Sequence, residues 1–257
     1  MGKLENQVAI ITGAGRGIGA GIARRFAEEG ARLVLCSRTE KQIADLADEI
    51  GPLSGGAMAV PVDVTSQAEI DSCVKDTLET FGRIDIVVNG AGTQYISSVA
   101  LSDPNEWLYD INVNLVGAYR FCRTALPALA ASKNGRIVNI ASRMGNSPGP
   151  LNSAYAASKA GLIAFTTSLA SEVARDGIHV NAICPAFVET KLLYDSMIKM
   201  GKLTGQNVDE IRNSLAERSM LRRAVTTEEV AALAIFLVTE ATGITGQSIN
   251  ITAGAHG

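Results

Sequence analysis

The sequence predicts an α/β protein built on one doubly wound parallel sheet of about seven strands with helices on both faces. Three observations point there. Short β-branched apolar runs alternate with longer segments of helical periodicity, the rhythm of repeated βαβ units. Runs such as Ile84-Asp85-Ile86-Val87-Val88 are nearly continuous rather than alternating, as expected of strands covered on both faces. A glycine-rich turn, Thr12-Gly13-Ala14-Gly15-Arg16-Gly17-Ile18-Gly19, follows the first strand and opens the first helix.

In order, the first strand is expected over 8–12 and the first helix over 16–29. Strand 32–36 and helix 40–50 follow, then strand 57–62, helix 67–81 and strand 84–89. A long helical pattern fills 105–131, leading to strand 136–142, helix 153–175 and strand 179–184. Helix 227–239 and strand 248–251 complete the series. The segment 191–224 stands outside this rhythm: it is polar and charged yet carries Leu192, Leu193, Tyr194, Met197, Met200 and Leu203. A long insertion after a strand's carboxyl end usually serves as a lid or binding loop, here a substrate loop.

With 257 residues, 47% hydrophobic and 19% charged, the chain can bury a sizeable core, and no linker divides it; residues 1–257 are expected to form one domain. The balance of 23 basic and 26 acidic residues gives a net charge of −3 without a basic run, which argues against a nucleic-acid partner. Neither a signal-peptide core nor an uncharged apolar stretch of spanning length is present, so the expected location is the cytoplasm, with no membrane partner. Cys36, Cys73, Cys122 and Cys184 are scattered, without a Cys-x-x-Cys pair or adjacent His, so no metal site or disulfide framework is expected.

The strand-turn-helix setting of Gly13, Gly17 and Gly19 points to a nucleotide whose pyrophosphate lies on the helix amino end. The spacing, Gly-x-x-x-Gly-x-Gly, departs from the commonest dinucleotide fingerprint. An enzyme using the unphosphorylated cofactor would place Asp or Glu at the end of the second strand, against the ribose hydroxyls. This chain has Cys36-Ser37-Arg38. Arg38, with Arg16 in the turn, offers charge-assisted hydrogen bonds to a 2′-phosphate, so NADP(H) is the expected cofactor. The alternative is a solvated Arg38 with Glu40 on the ribose, and NAD(H).

Tyr155 and Lys159 stand one helical turn apart on the same face. A phenol titrates near pH ~10 and is a poor base at neutral pH, but a neighbouring ammonium favours the phenolate and lowers that value. Ser142 ends the strand 136–142 and so reaches the crevice at the sheet's carboxyl edge. Taken singly, Ser142 reads equally as a strand-end cap and Lys159 as a surface charge.

Together with Asn89-Gly90-Ala91-Gly92 and the Asn of Val113-Asn114-Leu115, these residues appear in the order of the short-chain dehydrogenase/reductase family, which the chain resembles from about residue 5 to its end. The resemblance implies a Rossmann-type fold and hydride transfer between a nicotinamide and a carbonyl or secondary alcohol. It implies that Tyr155 exchanges a proton with the substrate oxygen and Ser142 hydrogen-bonds that oxygen. Lys159 would hold the nicotinamide ribose and lower the pKa of Tyr155, and Asn114 would anchor a water relaying protons from Lys159. Cofactor contacts carried over are Gly13, Arg16, Gly17, Ile18, Gly19, Ser37, Arg38, Asp63, Val64, Asn89, Ala91, Gly92, Tyr155, Lys159, Pro185, Val188 and Thr190. Two departures stand out: Pro-Gly reads Pro185-Ala186, and Asp-Gly-Gly reads Thr252-Ala253-Gly254.

For the substrate, the resemblance implies a pocket of Gln94, Ser142, Arg143, Met144, Asn152 and the 192–200 segment. Gln94 resembles a carboxylate-binding glutamine of 3-hydroxybutyrate dehydrogenases, although Met144 and Asn152 depart from their pattern. Arg143 offers a cation to an acidic substrate. A 3-oxoacyl thioester reductase, a 3-hydroxy acid dehydrogenase and a catalytically silent NADP(H)-binding protein are the alternatives. The resemblance also implies a homotetramer.

Overall fold

The computed structural model describes residues 2–255. Seven strands form one parallel sheet: β1 (Val8–Thr12), β2 (Arg32–Ser37), β3 (Ala57–Pro61), β4 (Ile86–Asn89), β5 (Arg136–Ile140), β6 (His179–Pro185) and β7 (Ser248–Ile251), in the order β3-β2-β1-β4-β5-β6-β7. The helices are α1 (Gly17–Glu28), α2 (Glu40–Ile50), α3 (Gln67–Phe81), α4 (Pro104–Ile111), α5 (Gly117–Ala131), α6 (Ser153–Val173), α7 (Lys191–Thr204), α8 (Val208–Glu217) and α9 (Thr227–Thr239).

The two faces of the sheet explain the unbroken apolar runs. Alternate strand residues point to opposite sides. Ala9, Ile11, Leu33, Leu35, Ile86 and Val88 join one buried cluster with Ile22 and Phe26 of α1, Ile43 and Leu46 of α2, and Val230 and Ala234 of α9. Their neighbours Ile10, Val34, Val87 and Ile137 join a second cluster with Ile70 and Val74 of α3, Phe121 and Leu129 of α5, and Leu169 and Val173 of α6. Each strand therefore needs an apolar residue at nearly every position. Just before β4, buried Asp85 accepts the Val8 N–H at 2.9 Å and meets Arg83 at 2.6 Å.

Two departures from the sequence reading bear on the site. The pattern 105–131 is not one α-helix. A π-helical turn, Asn112–Val116, separates α4 from α5, and Asn114 sits inside it. The insertion 191–224 is not mainly loop but a pair of helices, α7 and α8. Thr190 caps α7, which ends at Gly205 with φ +77°, and Asn207 and Glu210 form a reciprocal capping box on α8. All four cysteines are buried, and Cys36 Sγ lies 3.4 Å from Cys73 Sγ. Among the described residues no helix is long and apolar enough to cross a membrane, and no cluster of three His, Cys, Asp or Glu is placed to hold a metal.

Candidate active site

The strand order reverses beside β1, which has β2 on one side and β4 on the other. A crevice opens there at the strands' carboxyl ends. Buried Thr12 holds it together: its Oγ1 accepts the N–H groups of Gly90 and Ala91, both at 3.1 Å, pinning the segment after β4 to the glycine turn. The turn is tight enough to demand glycine. A β-carbon on Gly13, at φ +68°, would lie 2.6 Å from the Gly90 carbonyl oxygen, and one on Gly19 would lie 2.3 Å from that of Gly13. Arg16 precedes α1 but makes no side-chain cap, so the first-turn N–H groups of α1 face the crevice, as an anion requires. Ile18, the second residue of α1, packs on the core below. The Thr190 methyl stands 3.3 Å from the point a β-carbon on Gly17 would take, which brings the segment after β6 over the turn.

These features fit a dinucleotide. Arg16 and Arg38 are exposed beside the glycine turn and at the end of β2, and neither pairs with a carboxylate among the described residues. Ser37 Oγ closes a local turn with the N–H of Thr39 at 3.2 Å. Glu40 lies in the first turn of α2, where the helix dipole favours a carboxylate. Asp63 accepts from both the N–H and the hydroxyl of Thr65 at 2.8 Å, and Val64 is buried against Gly117 of α5. Asn89 turns away from the crevice and donates to Asn139 Oδ1 at 2.8 Å, tying β4 to β5. Pro185 ends β6. The Ala186 N–H bonds the Ile251 oxygen at 3.1 Å without a positive φ, so its methyl is accommodated. Val188 forms a bridge with Val225.

Ser142, Tyr155, Lys159 and Asn114 converge beside Gly92. Ser142 Oγ accepts the Met144 N–H at 3.1 Å, which leaves its own proton to donate. Lys159, 4% exposed, donates from Nζ to the Ile140 oxygen at 2.7 Å and lies 5.7 Å from the Tyr155 ring centroid. Asn114 is clamped: Oδ1 accepts the Thr93 N–H at 2.9 Å, and Nδ2 donates to the Thr93 oxygen at 2.9 Å and to Ser158 Oγ at 3.0 Å. A β-carbon on Gly92 would meet Asn114 Oδ1 at 3.3 Å and Lys159 Nζ at 3.7 Å.

Burial governs the protonation of this group. It pushes Tyr155 up to about 12, opposed by the Ser142 hydroxyl, and brings Lys159 down to about 8, opposed by the charge of Asp110. Burial outweighs any lowering of Tyr155 by the Lys159 ammonium, which stands 5.7 Å from the ring centroid.

The residues expected to meet the substrate form a hydrogen-bonded chain. Gln94 Nε2 donates to Asn152 Oδ1 at 2.6 Å, Asn152 Nδ2 donates to the Pro150 oxygen at 2.9 Å, and Ser196 Oγ of α7 lies 2.8 Å from Gln94 Oε1. Arg143 and Met144 lie half-buried in the 3₁₀ turn after β5, and Arg143 has no carboxylate partner among the described residues. Sequence reasoning placed Ser196 only within the 192–200 segment, and missed Trp107, which donates to Ser153 Oγ at 3.1 Å, and Asp110. Asp110 is 1% exposed and accepts the Tyr95 N–H at 2.8 Å; burial raises its pKa. The available signal was a carboxylate one turn before Asn114.

The model of a family described as short chain dehydrogenase matches residues 7–199. Oxidoreductase UcpA of Salmonella typhimurium is 37% identical over 257 residues, covering 99% of this chain and 96% of the relative. A variant of actinorhodin polyketide ketoreductase, solved with NADPH, superposes with a TM-score of 0.92 at 34% identity and 97% coverage of both chains. The L-sorbose reductase of Gluconobacter frateurii, solved with NADPH and L-sorbose, gives 0.91 at 31% identity, covering 99% of this chain and 98% of the other.

Proposed function

This chain belongs to the short-chain dehydrogenase/reductase family, and from that premise we propose that it is an NADPH-dependent reductase of a carbonyl compound, working through Tyr155, Ser142, Lys159 and Asn114. The observation that carries the reading is the convergence of these four side chains at the carboxyl edge of the sheet beside a turn only glycine can form. Bound in the crevice, the nicotinamide supplies the hydride that reduces the carbonyl carbon. Ser142 donates a hydrogen bond to the substrate oxygen, where negative charge grows as the carbon is reduced. Tyr155 delivers the proton to that oxygen. Raised by burial to about 12, the phenol is protonated at neutral pH and so holds the proton that reduction consumes. Lys159, near 8, is the neighbouring group able to return a proton, and the Asn114 Oδ1 lone pair beside it can hold a relay water.

Arg16 and Arg38, without acidic partners, support NADP(H) over NAD(H). The substrate reading is a neutral ketone, because the Gln94 amide, the group expected to bind a carboxylate, is engaged by Asn152 and Ser196. An acidic substrate is the second reading, favoured by the unpaired Arg143. Helices α7 and α8 would cover the substrate, and the assembly would be a homotetramer, for which exposed Leu108 on α4 and Tyr119 on α5 supply apolar surface.

The test is NADPH and NADH oxidation against a panel of ketones, 3-oxoacyl thioesters and oxo acids, with Tyr155→Phe as control. Turnover with a neutral ketone that disappears in Tyr155→Phe is expected. Turnover unaffected by that substitution would refute the mechanism, and NADPH binding without turnover on any compound would favour the silent-binder reading.

A further inference from the structure

Arg38 and Tyr109 lie 71 residues apart and meet at the adenosine end of the crevice, where Arg38 Nη1 donates to the Tyr109 hydroxyl oxygen at 2.5 Å. Arg38 follows β2 and Tyr109 lies on α4, after β4. The bond thus joins segments from the strands on either side of β1. We propose that Tyr109 is a specificity-determining residue for the 2′-phosphate of NADP(H): it positions the Arg38 guanidinium and offers its own hydroxyl proton to the same phosphate. This deepens the NADPH reading above and rests on it.

Donor chemistry and burial carry the assignment. A guanidinium has five N–H donors in a rigid fork. With one spent on Tyr109, the edge formed by Nε and Nη2 remains for a bidentate contact to phosphate oxygens. The phenol oxygen accepts from Arg38, so its own O–H is left to donate. The two ends of the bond differ in freedom. Arg38 is exposed and has no carboxylate partner, whereas Tyr109 is half-buried, its ring packed on the apolar cluster that includes Val64 and Val113. Tyr109 is therefore the fixed point and Arg38 the arm it holds. Restraining that arm before binding removes part of the ordering cost that a phosphate would otherwise have to meet. NADH, lacking the 2′-phosphate, gains nothing from either group.

The experiment is calorimetric titration of the full-length protein with NADPH, NADH, 2′,5′-ADP and 5′-ADP, using wild type, Tyr109→Phe, Arg38→Ala and the double variant. Tyr109→Phe keeps the ring and its packing. It is expected to weaken NADPH and 2′,5′-ADP by about ten-fold, the effect of losing a hydrogen bond to a charged group. NADH and 5′-ADP should change by less than about two-fold, within what a lost neutral contact would give. In the double variant the Tyr109 substitution should cost less than it does in the wild type but not nothing, because the tyrosine acts partly through the arginine and partly through its own hydroxyl. Equal weakening of phosphorylated and unphosphorylated ligands would reduce Tyr109 to an adenine-wall residue and overturn the assignment. So would full retention of NADPH affinity in a protein whose wild type prefers NADPH, with the NADPH reading intact. A wild type that binds NADH as tightly as NADPH would overturn that reading and this assignment together.

Discussion

Ser196 Oγ lies 2.8 Å from Gln94 Oε1, so a side chain of helix α7 is tied to the segment following β4, 102 residues earlier in the chain. Gln94 passes the connection on to Asn152 at the start of α6. The Gln94–Asn152 pair thus also gives α7 a polar tie to the body of the fold.

Ser196→Ala removes one end of this tie. A buried neutral hydrogen bond contributes about 1 kcal/mol, roughly five-fold in an equilibrium. If the chain reduces a carbonyl compound as proposed, the expected outcome is a several-fold rise in KM for it with a smaller change in kcat, measured by steady-state kinetics. An unchanged KM would mean that apolar contacts such as buried Met197 hold α7 alone.

On the proposed mechanism, Lys159 and Asp110 set the pH dependence of the reaction. Burial brings Lys159 down to about 8, and the negative charge of Asp110 acts against that fall. Asp110→Asn should move the Lys159 ionisation lower still, seen as a shift of the alkaline limb of kcat/KM towards neutral pH. A profile that stays in place would separate Asp110 from Lys159.

The same shifts predict how stability varies with pH. Lys159 lies below its ordinary 10.5 in the fold, so the unfolded chain binds more protons between about 8 and 10.5 and stability from this residue rises with pH across that window. Tyr155 has the opposite sign: raised from 10.0 to about 12, it favours the fold below pH 10 and loses that contribution as pH rises towards 12. Denaturant titrations of wild type and Lys159→Met over pH 7 to 10 should differ in slope, shallower in the variant; equal slopes would contradict the burial of this charge.

At Gly13 a side chain meets both a positive φ of 68° and a carbonyl oxygen at 2.6 Å. Gly13→Ala should cost about 3 kcal/mol from overpacking and left-handed strain combined, and weaken nucleotide binding. Gly243→Ala, where a β-carbon would meet nothing within 4 Å, is the control. Similar thermal midpoints for the two variants would refute the close approach of the glycine turn to Gly90.

Ala253 carries φ +50°, in the left-handed region where a β-carbon is penalised. It stands where the resembling family has glycine. Ala253→Gly should therefore stabilise the protein by about 1 kcal/mol, raising Tm by roughly 2–4 °C in a chain of this size. A lower Tm would mean that the unfolded-state entropy of glycine outweighs the relieved strain.

The strands were legible because covering both faces forces apolar residues at consecutive positions, as in Ile86-Val87-Val88, whose members alternate between the two core clusters. Ser142, Tyr155 and Lys159 were legible because a strand end and a single helical turn fix their relation locally. The π-helical turn left no such mark: one extra residue per turn at 112–116 alters which way Asn114 faces without altering composition. Helices α7 and α8 carried readable caps in Thr190, Gly205 and the Asn207–Glu210 pair, but the charged surface of 191–224 obscured their apolar stripe. Asp110 on Tyr95 and Ser196 on Gln94 are contacts across the fold, which no local period encodes.

The sealed cysteines turn the native molecule into a clock. Cys36, Cys73, Cys122 and Cys184 are all buried, and burial holds the thiols of Cys122 and Cys184 up to about 12 and about 11, so a disulfide-exchange dye added to the intact protein finds no reactive thiolate. Colour develops only as fast as the chain opens. The residues are spread from β2 through α3 and α5 to β6. Single-cysteine variants would therefore time the opening of each layer separately and reveal whether the sheet lets go as one unit or from its β3 side first.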